Sequence, residues 1–312
     1  MQLDFGFVSI CLSEKDCSPA GNVTVKQVKT LEPEQRRARI LRVAKRNLEN
    51  TLRIMWFLDA HGFKVYRLSA NLVPLATHEI TRGWAWWEEE ELLATGARIG
   101  QVAREKGYRL SSHLPELCGL TGERTFYWAE QYLEYHRRLF ELLGLDRNAK
   151  IILHLGGAGK EKREALQRAR RHIEELSSWA RERIVLENDD RVFTAKDVVQ
   201  LAEETGVPVV FDWHHHWVKH DGDRTGPLAS ELIARAAGTW QDRPAKVHLS
   251  SPKSAKQQRA HADFVDVEFV VPFFQLVRSL GLDHLDIMVE AKMKDLAALK
   301  LRDDLKALPD LT

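Results

Sequence analysis

Cysteine is scarce: the chain has only Cys11, Cys17 and Cys118. An odd count at these spacings is neither a disulfide framework nor a zinc knuckle, so the expected compartment is the cytoplasm and the expected state is inert buried thiols. Long apolar runs are lacking as well. None reaches the ~18 residues that a membrane span needs, and the start, Met1-Gln2-Leu3-Asp4, carries no basic stretch or cleavage site of a secretory signal. Charge of one sign is missing: 46 Lys+Arg meet 45 Asp+Glu, a net +1. The strong basic excess common in sequence readers of nucleic acid is therefore absent, although an acidic metal site can mask a basic rim. Phosphate-binding glycine loops are missing too. Gly156-Gly157-Ala158-Gly159-Lys160 follows a strand-like run but lacks the Walker spacing, and no G-x-G-x-x-G follows a strand. There is no internal repeat and no low-complexity linker.

What the 312 residues do contain is a repeated alternation of short apolar runs with longer amphipathic ones. Strands are predicted over Leu3–Ile10, Lys64–Leu68, Arg109–His113, Lys150–His154, Ile184–Asn188, Val207–Asp212, Ala245–Ser250 and Asp286–Glu290. Helices are predicted over Pro33–His61, Glu88–Lys106, Thr125–Leu143, Lys162–Arg181, Thr194–Thr205, Ala229–Gly238 and Val267–Leu280, with a last one from near Asp295. Gly62 and Gly107 stand where helix-ending glycines belong, and Thr194 suits an N-cap. Eight strand–helix units imply a parallel sheet covered by helices, and in this length a closed (β/α)8 TIM barrel forming a single domain over residues 1–312.

The strand ends carry the chemistry. His113, His154, Glu187 and Asp212 end strands three to six, His248 lies on strand seven and Glu290 ends strand eight. In such a barrel these ends converge on the C-terminal face, where barrel enzymes keep their active sites. Six metal-competent side chains in register is not a packing pattern. His215, His261 and His78 lie just beyond strand ends. Imidazole and carboxylate without thiolate suit Zn²⁺, Mn²⁺ or Fe²⁺ rather than Ca²⁺. Eight or nine donors exceed one ion, so two or three ions sharing a carboxylate are expected. Weaker features are Trp84-Ala85-Trp86-Trp87, which reads equally as a stacking platform or as flank packing, and Lys253, Lys256 and Arg259, expected in a loop that could hold phosphates. His61, His136, His172, His220 and His284 are expected at the surface.

Several segments together resemble the UV damage endonucleases, relatives of endonuclease IV and of the xylose-isomerase-like barrels. These are Asn47-Leu48-Glu49-Asn50, the run from His61 to Ser69, Leu75-Ala76-Thr77-His78, His154-Leu155-Gly156-Gly157 and Leu186-Glu187-Asn188-Asp189. Asp212-Trp213-His214-His215, the run from Lys246 to Ser250 and the run from Met288 to Lys292 complete them. The ordered set covers nearly the whole chain. The resemblance implies three divalent ions, Mn²⁺ foremost, with Zn²⁺, Mg²⁺ or Co²⁺ as substitutes. It implies that His113, His154 and Glu187 hold one ion, that Glu187 bridges to a second held by Asp212, His248 and Glu290, and that His215 and His261 hold the third. It implies further that Lys246, two residues before His248 and so on the same strand face, can be carboxylated. Glu187, Lys246, His248 and Glu290 are the implied catalytic residues.

The implied reaction is hydrolysis of the phosphodiester immediately 5′ to a UV photoproduct in double-stranded DNA, leaving 3′-OH and 5′-phosphate. In-line attack by water activated at such ions needs no protein nucleophile, and the sequence suggests none. A damaged pair stacks poorly and so costs less to extrude. Family members often have His-Pro-Gly-Gln-Tyr after strand three, whose Gln and Tyr probe the lesion; here the run is His113-Leu114-Pro115-Glu116-Leu117. Glu116 and Leu117, with His78 and with Phe7 in place of the family's tyrosine, are the expected DNA-contacting residues. A monomer without membrane attachment, cytoplasmic and nucleoid-associated when on DNA, completes the expectation. An abasic-site nuclease or a metal-dependent sugar isomerase or epimerase on the same barrel are the rival readings; the latter have no need for His113, His154, His215 and His261 together.

Overall fold

The computed structural model describes residues 1–241 and 243–308. Eight parallel strands close into a barrel. In chain order they and a hairpin are β1 (Gln2–Val8), β2 (Val65–Arg67), β3 (Arg109–His113), β4 (Lys150–His154), β5 (Ile184–Glu187), β6 (Val209–Asp212), β7 (Ala245–Leu249), the hairpin β8 (Pro252–Ser254) and β9 (Gln257–His261), and β10 (His284–Val289). Each barrel strand pairs with its neighbours in chain order, and β10 closes the ring by pairing with both β7 and β1. The strands are apolar because helices cover their outer faces: Phe5, Phe7, Ile151, Leu153, Phe211 and Ile287 are all buried. At Gly6 a side chain is excluded, since a Cβ would lie 2.0 Å from the Val65 carbonyl oxygen on β2.

The longest helix, Pro33–His61, begins with proline at its first turn and ends at Gly62, whose φ of 68° is left-handed. Thr194 caps Ala195–Thr205 through a capping box with Asp197. Most boundaries lie within two residues of expectation, and two segments differ in kind. Lys162–Arg181 is two helices, Lys162–Glu175 and Ser178–Arg181, because Ser177 caps the second by accepting from the Ala180 N–H. The segment after β7 is the β8–β9 hairpin, with Lys253, Lys256 and Arg259 exposed on it. Arg259 pairs with Asp190 at 2.6 Å. The tryptophan run is mainly packing: Trp86 is buried, Trp84 Nε1 donates to Glu89, and Trp87 lies 4.4 Å beneath the Arg138 guanidinium.

Two histidines expected at the surface are instead in the core. His136 packs beneath β3, where its Nε2 meets the Ser112 hydroxyl at 2.6 Å and its Nδ1 meets the Tyr132 carbonyl at 2.7 Å. His172 stacks on Phe126 at 4.0 Å and bonds the Leu120 carbonyl. Both lie on the inner stripe of their helices, where a polar ring is tolerated because its nitrogens are partnered. Burial pushes the His136 imidazole down to about 4. In the unfolded chain it titrates near ~6.5. Between these values the unfolded chain binds a proton that the folded chain refuses. Stability should therefore be full above pH 6.5 and fall by about 3 kcal/mol in total as pH drops toward 4. Urea unfolding against pH is the measurement. In His136→Gln the slope should flatten by one proton's worth; an unchanged slope would remove His136 as the acid-sensitive group.

Candidate metal centre

Strand register brings the polar strand ends together. His154 sits beside Glu187 on β4 and β5, and Asp212 beside His248 on β6 and β7. Two groups of donor atoms result, each with its atoms within 4.8 Å of one another: His113, His154 and Glu187, and then Glu187, Asp212, His248 and Glu290. Glu187 belongs to both. Its carboxylate is fully buried, with Oε2 at 2.9 Å from His113 Nε2 and Oε1 at 2.5 Å from His248 Nδ1. Burial alone would raise its pKa. The charges of His248 and His154 and the hydrogen bonds from His113 and His248 outweigh that and hold it well below the usual range.

Asp212 starts a short helix, Trp213–Val218, by accepting the His215 N–H at 2.7 Å with Oδ1. That cap turns the His215 ring back over the barrel mouth. Its Nδ1 lies 2.9 Å from the Asn188 carbonyl, 3.6 Å from Asp212 and 3.8 Å from Glu187. With Nδ1–H given to the carbonyl, Nε2 is the nitrogen that a cation would take in place of the ring's second proton. Burial lowers this imidazole, but the surrounding Asp212, Glu187 and Glu290 charges override it and push it up to about 9. His261, at the end of β9, presents its ring 6.2 Å from that of His215 and 5.1 Å from that of His214.

The donor set fits a cation on the chain's own geometry. His113 faces acceptors with both nitrogens: Nδ1 is 2.7 Å from the Leu114 carbonyl and Nε2 is 2.9 Å from Glu187. Burial lowers its pKa, so the ring carries one proton at neutral pH and one of these contacts lacks it. A cation shared by Nε2 and the carboxylate removes that conflict. Asp212 Oδ2, His154 Nδ1 and His261 Nδ1 are also buried without a hydrogen-bond partner, and orphaned polar atoms in a core call for a ligand.

Two residues of the site were not singled out by the sequence reading. Arg67, the last residue of β2, donates to His248 Nε2 at 2.6 Å and pairs with Glu290 at 2.5 Å. Burial would raise the Glu290 carboxyl, but Arg67 and His248 bring it far down. Asn188 clamps β5 to β6, its amide donating to the Asp212 carbonyl and accepting from the Asp212 N–H. A charged residue ending an apolar strand was the available signal for Arg67; nothing local marks Asn188.

The remaining expected residues are spread out. Lys246 lies below the cluster: its buried Nζ has no hydrogen-bond partner and faces Asp286 from 3.7 Å. Glu116 is exposed, and Leu117 is 44% exposed beyond β3. His78 caps a turn through its Nδ1, and with Leu117 it lines a groove of about 710 Å³ together with Trp87, Tyr127 and Trp128. Phe7 is a correction. It is fully buried on the outer face of β1, edge-on to Phe57, Phe63 and Tyr66, so it offers nothing to DNA. The alternation along β1 turns it toward the covering helix. A further donor group, Asp4, His284 and Asp286, lies at the opposite mouth. There the Arg109 guanidinium already bridges Asp4 at 2.5 Å and Asp286 at 2.6 Å, so the cation of that group is the protein's own.

Comparison with known proteins shows the family and the fold. The chain is 35% identical to a UV DNA damage endonuclease of Bacillus pumilus, over 99% of this chain and 95% of that protein. It is 33% identical to one from Bacillus cereus, over 99% and 96%. The crystal structure of SacUVDE superposes with a TM-score of 0.84 at 29% identity, covering 99% of both chains. A 3-keto-D-glucoside 4-epimerase from E. coli, at 15% identity, a TM-score of 0.50 and coverage of 84% of this chain and 95% of its own, shares the barrel alone. The model of the family described as UV-endonuclease UvdE matches residues 3–312, and this chain belongs to that family.

Proposed function

We propose that this protein is a divalent-metal DNA repair endonuclease that nicks the phosphodiester immediately 5′ to a UV photoproduct, leaving 3′-OH and 5′-phosphate. The observation that carries the metal part is His113, held between two acceptors within a buried set of imidazoles and carboxylates. Family membership carries the DNA part. In this reading His113, His154 and Glu187 hold one ion, Glu187, Asp212, His248 and Glu290 a second, and His215 with His261 a third. Mn²⁺ is the first choice, with Zn²⁺, Mg²⁺ or Co²⁺ as substitutes. When bound, such ions lower the pKa of water and neutralise phosphate oxygens.

The chain's own part is to hold the donors ionised and aimed. Glu187 and Glu290 stay charged throughout the neutral range. The Leu114 and Asn188 carbonyls engage Nδ1 of His113 and His215 and so reserve Nε2 of each ring for an ion. Lys246 enters as a carbamate, supported by burial that pushes its amine down to about 8 and so toward the neutral form that carbon dioxide requires. A carbamate ¹³C resonance after labelled bicarbonate, lost in Lys246→Ala, checks this; its absence from the wild type removes it. The active species is a monomer on damaged duplex.

Nicking of UV-irradiated supercoiled plasmid with Mn²⁺, with and without EDTA, and alongside plasmid bearing abasic sites, tests the reading. Relaxed circles should form from irradiated plasmid and vanish with EDTA. Cleavage confined to abasic plasmid would replace it with the abasic-site reading.

Leu117 and Glu116 read the lesion in this account, Leu117 as an apolar wedge between base steps. Leu117→Ala should weaken binding to lesion-containing duplex about tenfold and leave undamaged duplex nearly unchanged, since phosphate contacts supply that second term. Fluorescence anisotropy on matched duplexes measures both. Equal losses on the two would mean that Leu117 only packs under its loop.

A further inference from the structure

We propose that the N-terminal mouth of the barrel, opposite the metal centre, is a second ligand site that takes a dianionic phosphate group. A cavity of about 380 Å³ opens there, between the starts of β3, β4 and β7. Arg104, Arg109, Lys150 and Arg243 line it, against Asp146 and Asp286. Lys246 also lines it, with its Nζ facing Asp286 from 3.7 Å.

These cations differ in how they are satisfied. Arg109 is matched by Asp4 and Asp286. Lys150 is not. It is buried, and its ammonium reaches the Glu182 backbone carbonyl at 2.6 Å with no ion pair to a carboxylate among the described residues. A buried charge without a counter-charge is costly. Burial pushes Lys150 down to about 8, the nearby charges of Arg243 and Arg183 push the same way, and the Glu182 charge, which forms no ion pair with it, offsets only part of this. The missing partner at this mouth is therefore negative. The guanidiniums of Arg104, which also donates to the Gly144 carbonyl at 2.6 Å, and of Arg243 line the cavity with Lys150, and guanidinium forks bind phosphate oxygens in bidentate fashion. Tyr108 and Trp240 wall the same cavity, which leaves room for a phosphate alone or for one carried on a small nucleoside. The strands separate this mouth from the metal centre, so its phosphate is not the one being cleaved.

The test is isothermal titration of the full-length, metal-stripped protein with inorganic phosphate, with AMP, and with a dithymidine diester that carries only a monoanionic phosphate. Phosphate and AMP should saturate and the diester should not. Arg243→Ala and Lys150→Met should each weaken binding at least about tenfold, while Glu187→Ala, at the other end of the barrel, should leave it unchanged. If Lys150→Met does not fold, Arg243→Ala and the exposed Arg104→Ala decide. Equal affinity for phosphate and AMP identifies the free anion as the occupant, and a clear preference for AMP identifies a nucleotide; both support the site. Lack of saturation by either at about 10 mM, diester binding as tight as phosphate, or loss in Glu187→Ala with retention in Arg243→Ala would overturn it.

Discussion

Glu187→Ala should reduce nicking of irradiated plasmid by about 100-fold or more while leaving the circular dichroism spectrum near that of the wild type. The reason is position. Glu187 is the one carboxylate shared by both donor groups, and His113 and His248 each bond one of its oxygens. Losing a ligand or its orienting partner typically costs about 10–100-fold in metal affinity or activity, and here one substitution strikes two ion positions. Metal content provides an independent readout. Inductively coupled plasma analysis should find at least one Mn²⁺ fewer per chain in the variant. Retention of more than about a tenth of the nicking rate, with full metal content, would sink the bridging role.

Arg67→Met should destabilise the metal-free chain by about 3–5 kcal/mol, the cost of leaving a buried charge without its partner. Glu290 loses the guanidinium at 2.5 Å and His248 loses the donor at 2.6 Å. The loss should shrink when Mn²⁺ is present, because a cation beside Glu290 supplies the missing positive charge and metal bound to the folded state stabilises it by mass action. Urea unfolding of wild type and variant, each with EDTA and with Mn²⁺, gives four curves. An equal loss in both conditions would mean that the Arg67 stem contributes packing and that its charge is immaterial to the centre.

Strand and helix periodicity, with glycines at helix ends, was enough to set out the alternating units and a closed barrel. It was also enough to put His113, His154, Glu187, Asp212, His248 and Glu290 at strand ends, because the chemistry of a barrel is written at those positions. Three things needed the tertiary structure. Alternation along β1 says that neighbours face opposite ways but not which way is outward; Phe57 of the covering helix and Tyr66 of β2 decide that Phe7 lies in the core. A helical histidine looks the same in sequence on the wet or the dry stripe; His136 and His172 are inside because Ser112, Tyr132 and Leu120 supply their hydrogen bonds from elsewhere in the chain. The contact of Arg67 with Glu290 joins residues far apart in the chain through the closure of the barrel, and that of Asn188 with Asp212 ties two neighbouring strands across the helix between them. Residue types are local and can be read from the sequence. Which buried group faces which is decided by packing, where each polar atom must find its partner in three dimensions.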